Sequence, residues 1–239
     1  MDFEIVAHRG YSAIAPENTR AAFAAAVAGG AGAIEFDVRL SADGIPILIH
    51  DPTVERTTDG TGNVSDLTLE QLKGLDAGMW FSDRFIGERI PTFGETLDFL
   101  DETPLKAYAE IKDGDDWSDE DIQRLIATLD VPHWRDRLAI ASFSDDFLGR
   151  VKACNTAIPL AYYPLTASEY LEQLRRLKPE ENAILLCEYH LLLENPQLVA
   201  AGRDRNIDVG AWTVDNPQDM GQLIRLGVKQ IVTNSLLER

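Results

Sequence analysis

Short apolar runs alternate with helix-like segments along almost the entire chain, and this alternation limits the possible folds more than any other feature. Each run has four to seven residues, the length of a strand buried in a parallel sheet. The runs are Glu4–Ala7, Ala33–Val38, Leu105–Ile111, Leu138–Ser142, Ile158–Tyr162, Ala183–Cys187, Asp208–Trp212 and Lys229–Thr233. Helix candidates between them begin near Pro16, Asp119 and Pro217, which are residue types favoured at helix N-termini. Eight βα units in 239 residues predict a (β/α)8 TIM barrel.

A ninth apolar run, Ile45–His50, does not fit this count. It follows Val38 too closely for a parallel crossover, and the turn residues Ser41–Gly44 predict an antiparallel hairpin. Regular pairing across this turn would place His50 opposite Glu35.

The segment from about residue 51 to about residue 91 interrupts the alternation. It is rich in Thr, Asp and Gly and carries one short helix candidate near Leu69–Leu75. We interpret it as a small insertion subdomain after the hairpin, on the C-terminal face of the barrel, where long loops commonly shape a substrate site. The length of the chain fits one large domain or two small ones, and because the eight βα units extend over all of it we expect residues 1–239 to form a single TIM-barrel domain.

The charge balance argues against two classes of partner. The chain has 40 acidic residues and 22 Lys plus Arg, a formal net charge of -18. This excludes nonspecific nucleic-acid binding and anionic-membrane binding as a first interpretation. The sequence shows neither a signal-peptide pattern nor an apolar stretch long enough to span a bilayer, so we expect a cytoplasmic protein without stable membrane association. We expect a monomer or a homodimer, with Cys154 and Cys187 as reduced thiols.

Acidic residues recur near the ends of two predicted barrel strands. Period-two geometry places Glu35 and Asp37 on one side of their strand, where they would repel each other unless a cation lay between them. The alternative is an outward-facing pair, which would put both charges against the helix layer at a high cost. Glu110 and Lys112 also share a side of their strand. Glu110 can complete a three-carboxylate site for Mg2+ or Ca2+, and a simple ion pair between Glu110 and Lys112 is the alternative.

Two of the four histidines lie at the C-terminal ends of predicted strands. His8 and Arg9 follow the first strand, and His50 ends the hairpin run. Catalytic groups of this fold lie at the C-terminal ends of strands, although a structural histidine beside a surface arginine would give the same pattern. A metal site with one Arg, one Lys and two His suits phosphoryl chemistry, because the cations neutralise oxyanions and the histidines move protons.

Seven short motifs carry a more specific signal through their order along the chain. They are His8-Arg9-Gly10, Pro16-Glu17-Asn18-Thr19, Ala33-Ile34-Glu35-Phe36-Asp37-Val38, Asp43-Gly44, His50-Asp51-Pro52, Arg56-Thr57-Thr58-Asp59-Gly60-Thr61-Gly62 and Glu110-Ile111-Lys112. Together they resemble the glycerophosphodiester phosphodiesterase family, and the similarity extends over essentially the whole chain. The resemblance implies a TIM barrel with a small inserted subdomain and an enzyme that hydrolyses small-molecule glycerophosphodiesters to sn-glycerol 3-phosphate and an alcohol. The residue roles it implies are a divalent metal held by Glu35, Asp37 and Glu110, catalytic His8 and His50, and phosphate-contacting Arg9 and Lys112.

One motif departs from the family pattern near the last strand. Such proteins often read Thr-Asp followed closely by Pro, whereas this chain reads Thr233-Asn234-Ser235. We expect this departure to affect only the last βα loop.

The charges of the implied site predict that metal is required for substrate entry. The three carboxylates contribute about -3, Arg9 and Lys112 about +2, and a divalent ion about +2. With neutral histidines the loaded site is therefore about +1 and the metal-free site about -1. Metal should admit the phosphodiester as well as activate it.

Two aromatic residues are candidates for the rim of the site. Trp212 ends the seventh predicted barrel strand and Phe143 follows the fourth. Both could contact the glycerol backbone or a choline head group. Core packing is the alternative for Phe143.

Other activities would leave different marks on the sequence. A lysophospholipase D-type or phosphatidylinositol-type phosphodiesterase would use the same catalytic residues with an exposed apolar rim, for which the insertion offers Met79, Trp80, Phe81, Phe85 and Ile86. An amidohydrolase barrel would carry His-x-His on the first strand, whereas Arg9-Gly10 follows His8 here. A noncatalytic binding barrel would be favoured by loss of a histidine or carboxylate, and none is lost.

Overall fold

Eight parallel strands close into a barrel in the computed structural model, which describes residues 3–129, 134, 137–154, 157–178 and 182–236. The strands are β1 (Glu4–Ala7), β2 (Ala33–Leu40), β3 (Pro46–Leu48), β4 (Lys106–Ile111), β5 (Leu138–Ser142), β6 (Leu160–Tyr162), β7 (Ala183–Glu188), β8 (Asp208–Trp212) and β9 (Gln230–Thr233). Strand β1 pairs in parallel with both β2 and β9, which closes the ring. Strand β3 is antiparallel to β2 and stands outside the eight. The predicted (β/α)8 TIM barrel is confirmed.

Nine α-helices lie within the described residues. They are α1 (Arg20–Ala28), α2 (Leu69–Gly74), α3 (Phe93–Asp101), α4 (Asp119–Thr128), α5 (Asp145–Cys154), α6 (Ala167–Arg176), α7 (Tyr189–Glu194), α8 (Gln197–Asp204) and α9 (Pro217–Leu226). Helix α9 shows both predicted boundary signals, with Pro217 at its first turn and Gly227 ending it at φ 98°. Across the described part of the chain, none of these helices has the length and apolar character needed to cross a membrane.

The side chains of β2 divide between two environments. Ile34, Phe36 and Val38 belong to the large apolar core between the barrel and the helices. Glu35 and Asp37 alternate with them, so both carboxylates point to the opposite side, the barrel interior. A separate apolar cluster also lies in the interior, and it includes four alanines together with Tyr108 and Leu186. The outward-facing alternative required the acidic pair to face the helix layer, and it is therefore wrong.

The β2–β3 hairpin forms, but its register differs from the expected one. Leu40 pairs with Pro46 and Val38 with Leu48, because Ile45 joins the loop through hydrogen bonds with Ser41. The expected four-residue turn would have paired Leu40 with Ile45. The extra loop residue shifts the partner strand by one position, so the prediction that His50 lies opposite Glu35 is wrong.

The insertion has an apolar core of its own. Val54, Val64, Leu72, Ala77 and Ile90 are buried together with Ile47 and Ile49 of the hairpin. The segment ends where the Pro91 carbonyl accepts a hydrogen bond from the Leu48 N–H, and α3 follows. Because this small core is built on the hairpin, it holds the residues after His50 against the barrel mouth.

Candidate active site

Three carboxylates meet at the C-terminal mouth of the barrel. In the β2–β4 register Asp37 stands directly beside Glu110, and Glu35 lies two residues before Asp37 on the same face. All three are buried, and each can offer an oxygen within 4.8 Å of the others. Strand geometry alone therefore gathers the three acidic residues singled out in the sequence.

Two cations lie against this cluster. Lys112 Nζ is 2.9 Å from Asp37 Oδ1 and also contacts Glu110, while Arg9 Nε is 3.2 Å from Asp37 Oδ2. Burial opposes ionisation of Asp37, but Lys112 and Arg9 outweigh it and lower the pKa of Asp37 to about 2. The Glu110–Lys112 ion pair, which the sequence offered as the alternative to a metal-ligand role for Glu110, is present as one part of a larger cluster.

Glu35 is the carboxylate with the least compensation. Its Oε2 accepts a hydrogen bond of 3.0 Å from the Arg9 backbone N–H, while its buried Oε1 has no hydrogen-bond partner among the described residues. Burial, followed by the charges of Asp37 and Glu110, raises the pKa of Glu35 well above its usual value. A buried unpartnered carboxylate oxygen beside two other carboxylates is a donor set that suits a hard divalent cation such as Mg2+ or Ca2+.

Asn18 holds Asp37 in place. Its Nδ2 donates to Asp37 Oδ2 at 2.8 Å, and its Oδ1 accepts from the Asp37 backbone N–H at 3.1 Å. Asn18 adopts a left-handed conformation with φ 57°, which Asn tolerates better than most residues. A ligand-orienting role of this kind is typical of groups around a metal site.

The two histidines have different hydrogen-bond partners. His8 Nδ1 lies 2.7 Å from the amide oxygen of Asn234, and its Nε2 lies 3.9 Å from Glu35 Oε2. Burial, assisted by the charge of Arg9, lowers the pKa of His8. His50 Nδ1 instead lies 2.7 Å from the carboxylate of Asp51. One imidazole is therefore anchored by a neutral group and the other by an anion.

A chain of ion pairs connects the surroundings of both histidines. Arg9 Nη1 donates to Glu17 at 2.7 Å, Glu17 accepts two hydrogen bonds from Arg56, and Arg56 donates two more to Asp51. Arg56 belongs to the insertion, so this segment takes part in ordering the barrel mouth. The hydrogen bonds from Arg56 lower the pKa of Asp51, which keeps it anionic beside His50.

Known proteins resemble this chain over almost its entire length. The model of the glycerophosphoryl diester phosphodiesterase family matches residues 8–238. The chain belongs to this family. The glycerophosphodiester phosphodiesterase of Caldanaerobacter subterraneus subsp. tengcongensis is 37% identical over 236 residues, covering 96% of this chain and 93% of that protein. The glycerophosphodiester phosphodiesterase of Bacillus subtilis is 30% identical over 247 residues, covering 96% of this chain and 82% of that protein.

Two solved structures superimpose closely on this chain. An Oleispira antarctica phosphodiesterase in complex with the product sn-glycerol-3-phosphate is 30% identical, with a TM-score of 0.88 over 97% of this chain and 92% of that one. A glycerophosphodiester phosphodiesterase from Agrobacterium tumefaciens is 27% identical, with a TM-score of 0.81.

Both aromatic candidates, Phe143 and Trp212, lie on the rim of the barrel. Phe143 is 49% exposed, which rules out the core-packing alternative, and its ring stacks on Tyr163 with centroids 4.4 Å apart. Trp212 meets both rings edge-on at 5.9 and 5.7 Å. Burial, followed by the charges of the nearby Glu110, Glu35 and Asp37 and a side-chain hydrogen bond with Glu110, raises the pKa of Tyr163. Tyr163 therefore joins the aromatic rim to the acidic cluster.

Several partners of the charged site residues have no role that the sequence predicts. Asn18, Glu17 and Arg56 appear in motifs of the family resemblance, yet no spacing rule connects them to Asp37 or Asp51. Asn234 is 226 positions from His8 and was expected to affect only a loop. In the structure it contacts His8 directly.

Proposed function

We propose that this protein is a metal-dependent glycerophosphodiester phosphodiesterase that releases sn-glycerol 3-phosphate and an alcohol by histidine acid–base catalysis. The observation that carries the proposal is the buried cluster of Glu35, Asp37 and Glu110 between two histidines with anchored Nδ1 atoms. Family membership and the product bound by the Oleispira antarctica relative support the substrate class.

Glu35, Asp37 and Glu110 would hold the divalent ion, Mg2+ or Ca2+. The unpartnered Glu35 Oε1 fits this role, because a metal would compensate the charge that the protein leaves uncompensated. When bound, the ion supplies positive charge that polarises a phosphoryl oxygen.

Arg9 and Lys112 would bind the nonbridging oxygens of the phosphodiester. Burial opposes their charge, but the neighbouring carboxylates outweigh it and raise the pKa of each, so both stay protonated at neutral pH. Fixed cations that face a developing oxyanion lower its energy in the transition state.

His8 and His50 would divide the proton transfers between them. The low pKa of His8 suits it to accept the proton of the attacking hydroxyl, whether that comes from water or from the substrate's own 2-position. His50, whose Nδ1 contacts the Asp51 carboxylate at 2.7 Å, would donate a proton to the departing alcohol oxygen.

Phe143 and Trp212 would contact the organic part of the substrate. The exposed side chain of Phe143, which stacks on Tyr163, suits a choline head group, because aromatic faces attract quaternary ammonium ions.

A lysophospholipase D-type activity is the second candidate. Large apolar side chains are exposed on the insertion at Met79, Trp80 and Ile86, and at Leu165 after the strand that carries Tyr162. These could accommodate an acyl chain. Faster hydrolysis of lysophosphatidylcholine than of glycerophosphocholine would favour this candidate.

We further infer that residues 1–239 act as one catalytic domain with the insertion at about 51–91. The closure of the barrel by pairing between β1 and β9 supports this inference. So does the Arg56 contact with Glu17, which joins the insertion to the loop after β1.

The proposal is tested by measuring kcat for glycerophosphocholine with His8→Ala and His50→Ala. Each variant should lose about 10²–10⁴ in kcat while still binding metal. His190→Ala is the matched control, because His190 is exposed and its Nδ1 contacts Glu188 instead of the site. Wild-type rates in either active-site variant would disprove the assignment.

A further inference from the structure

Asn234 lies directly behind His8, just past the end of β9. Its amide oxygen is 2.7 Å from His8 Nδ1 and also accepts a hydrogen bond of 3.0 Å from the Ser12 hydroxyl. The position where this chain departs from its family pattern is therefore in contact with a residue of the proposed site.

Asp215 fixes the orientation of the Asn234 amide. Asn234 Nδ2 donates to Asp215 Oδ2 at 2.7 Å, and an ionised carboxylate can only accept hydrogen bonds. Asp215 is itself held by the Thr233 hydroxyl at 2.9 Å and by the Asn234 backbone N–H at 2.8 Å. The amide nitrogen must therefore face Asp215, which leaves the amide oxygen facing His8.

This orientation determines which nitrogen of neutral His8 carries the proton. An amide oxygen has no hydrogen to give, so His8 Nδ1 must be the donor in the 2.7 Å contact. In a neutral imidazole the other nitrogen then has a free lone pair. That nitrogen, Nε2, is the atom that faces Glu35 and the carboxylate cluster.

We propose that Asn234, oriented by Asp215, is a positioning residue that holds His8 in the Nδ1–H tautomer with the Nε2 lone pair directed into the site. The inference rests on the proposed function for its catalytic consequence, since only this tautomer lets His8 accept a proton at Nε2. The tautomer itself follows from the hydrogen bonds alone.

The amide has an electrostatic advantage over a carboxylate at this position. Three buried carboxylates already lie on the Nε2 side of His8, and Asp215 lies immediately behind Asn234. A carboxylate in place of the Asn234 amide would be repelled by these three carboxylates and by Asp215. His50, which is more exposed than His8, is instead paired with the carboxylate of Asp51.

The tautomer can be measured directly by nitrogen NMR of the full-length protein labelled with 15N-histidine, at about pH 8, where imidazole is neutral. The His8 signals are assigned with His8→Gln. We expect a protonated Nδ1 and an unprotonated Nε2 in the wild type. A protonated Nε2 would overturn the proposal, whether or not the enzyme cleaves phosphodiesters, so its failure is distinguishable from failure of the proposed function.

Variants of Asp215 and Asn234 test the proposal further, and the exchange of these two residues in a double variant is the matched control. Asp215→Asn frees the amide of Asn234 to turn, and Asn234→Leu removes the acceptor. Each should change the His8 tautomer ratio and lower kcat for glycerophosphocholine about 10–100-fold, with little change in KM. The double variant Asp215→Asn/Asn234→Asp restores one donor and one acceptor and should recover most of kcat. Folded single variants that keep both the tautomer and kcat, or a double variant more impaired than both singles, would contradict the proposal.

Discussion

The ammonium group of Lys112 lies 2.9 Å from Oδ1 of Asp37, with both side chains largely shielded from solvent at the mouth of the barrel. The same ammonium contacts Glu110, the residue beside Asp37 in the β2–β4 register. One lysine thus neutralises part of the negative charge of three buried carboxylates. In the absence of metal, this contact is central to the stability of the site.

Lys112→Met should destabilise the metal-free protein. Removing one partner of a buried ion pair leaves uncompensated charge and typically costs about 3–5 kcal/mol. We expect a loss of about 3 kcal/mol in the free energy of unfolding, measured by urea denaturation in chelator, and partial recovery when a divalent metal is added. Lys106→Met is the control, since Lys106 is exposed and its pair with Glu4 should contribute about 1 kcal/mol or less. Equal losses in the two variants would contradict this account.

Metal affinity should decrease as the pH falls. Burial and the neighbouring carboxylates raise the pKa of Glu35, so protons compete with the metal at pH values above the usual titration range of a glutamate. The ligand is fully available only above this raised pKa, which gives an affinity that rises with pH. Titration calorimetry at about pH 8 and about pH 5.5 measures the difference. Glu35→Gln should weaken both the affinity and its pH dependence. Affinity that is constant or increases on acidification would disprove this explanation.

Arg56 should affect turnover although it lies in the insertion. Arg56→Leu removes the hydrogen bonds to Glu17 and Asp51, and with them the support for Arg9 and His50. Loss of such a supporting group typically costs about 10–100-fold in activity, and we expect kcat to fall by this amount. Arg84→Ala tests the specificity of the effect, because exposed Arg84 lies over the Phe85 ring in the same insertion. An unchanged kcat in Arg56→Leu would show that the ion-pair chain has no catalytic role.

Phe143 should contribute to recognition of a cationic head group. An exposed cation–π contact is worth about 0.5–1 kcal/mol, so Phe143→Ala should raise KM for glycerophosphocholine about two- to five-fold with kcat nearly unchanged. A glycerophosphodiester with an uncharged alcohol should show a smaller change. The same rise in KM for both substrates would indicate apolar packing instead of charge recognition.

Local periodicity was sufficient to predict the acidic centre. Alternation in β2 put Glu35 and Asp37 on one face, and parallel pairing with β4 brought Glu110 beside Asp37. Helix α3 was not predicted, although the capping box of Thr92 and Glu95 was visible in the sequence.

The remaining features depend on loop geometry and distant contacts. The predicted pairing register of His50 was wrong by one residue, because nothing in the composition of Ser41–Gly44 shows that Ile45 joins the loop. The contact between Asn234 and His8 joins opposite ends of the chain through the pairing of β1 with β9, and no local pattern encodes it.

The most direct test of the account is the release of sn-glycerol 3-phosphate from glycerophosphocholine by the same preparation before chelation, after chelation and after addition of Mg2+ or Ca2+. The carboxylate cluster predicts release by the metal-loaded protein, loss of release after chelation, and recovery with at least one of the two ions. No release with any divalent metal, or an unchanged rate after complete removal of metal, would contradict the central claim that the cluster forms the metal site of a phosphodiesterase.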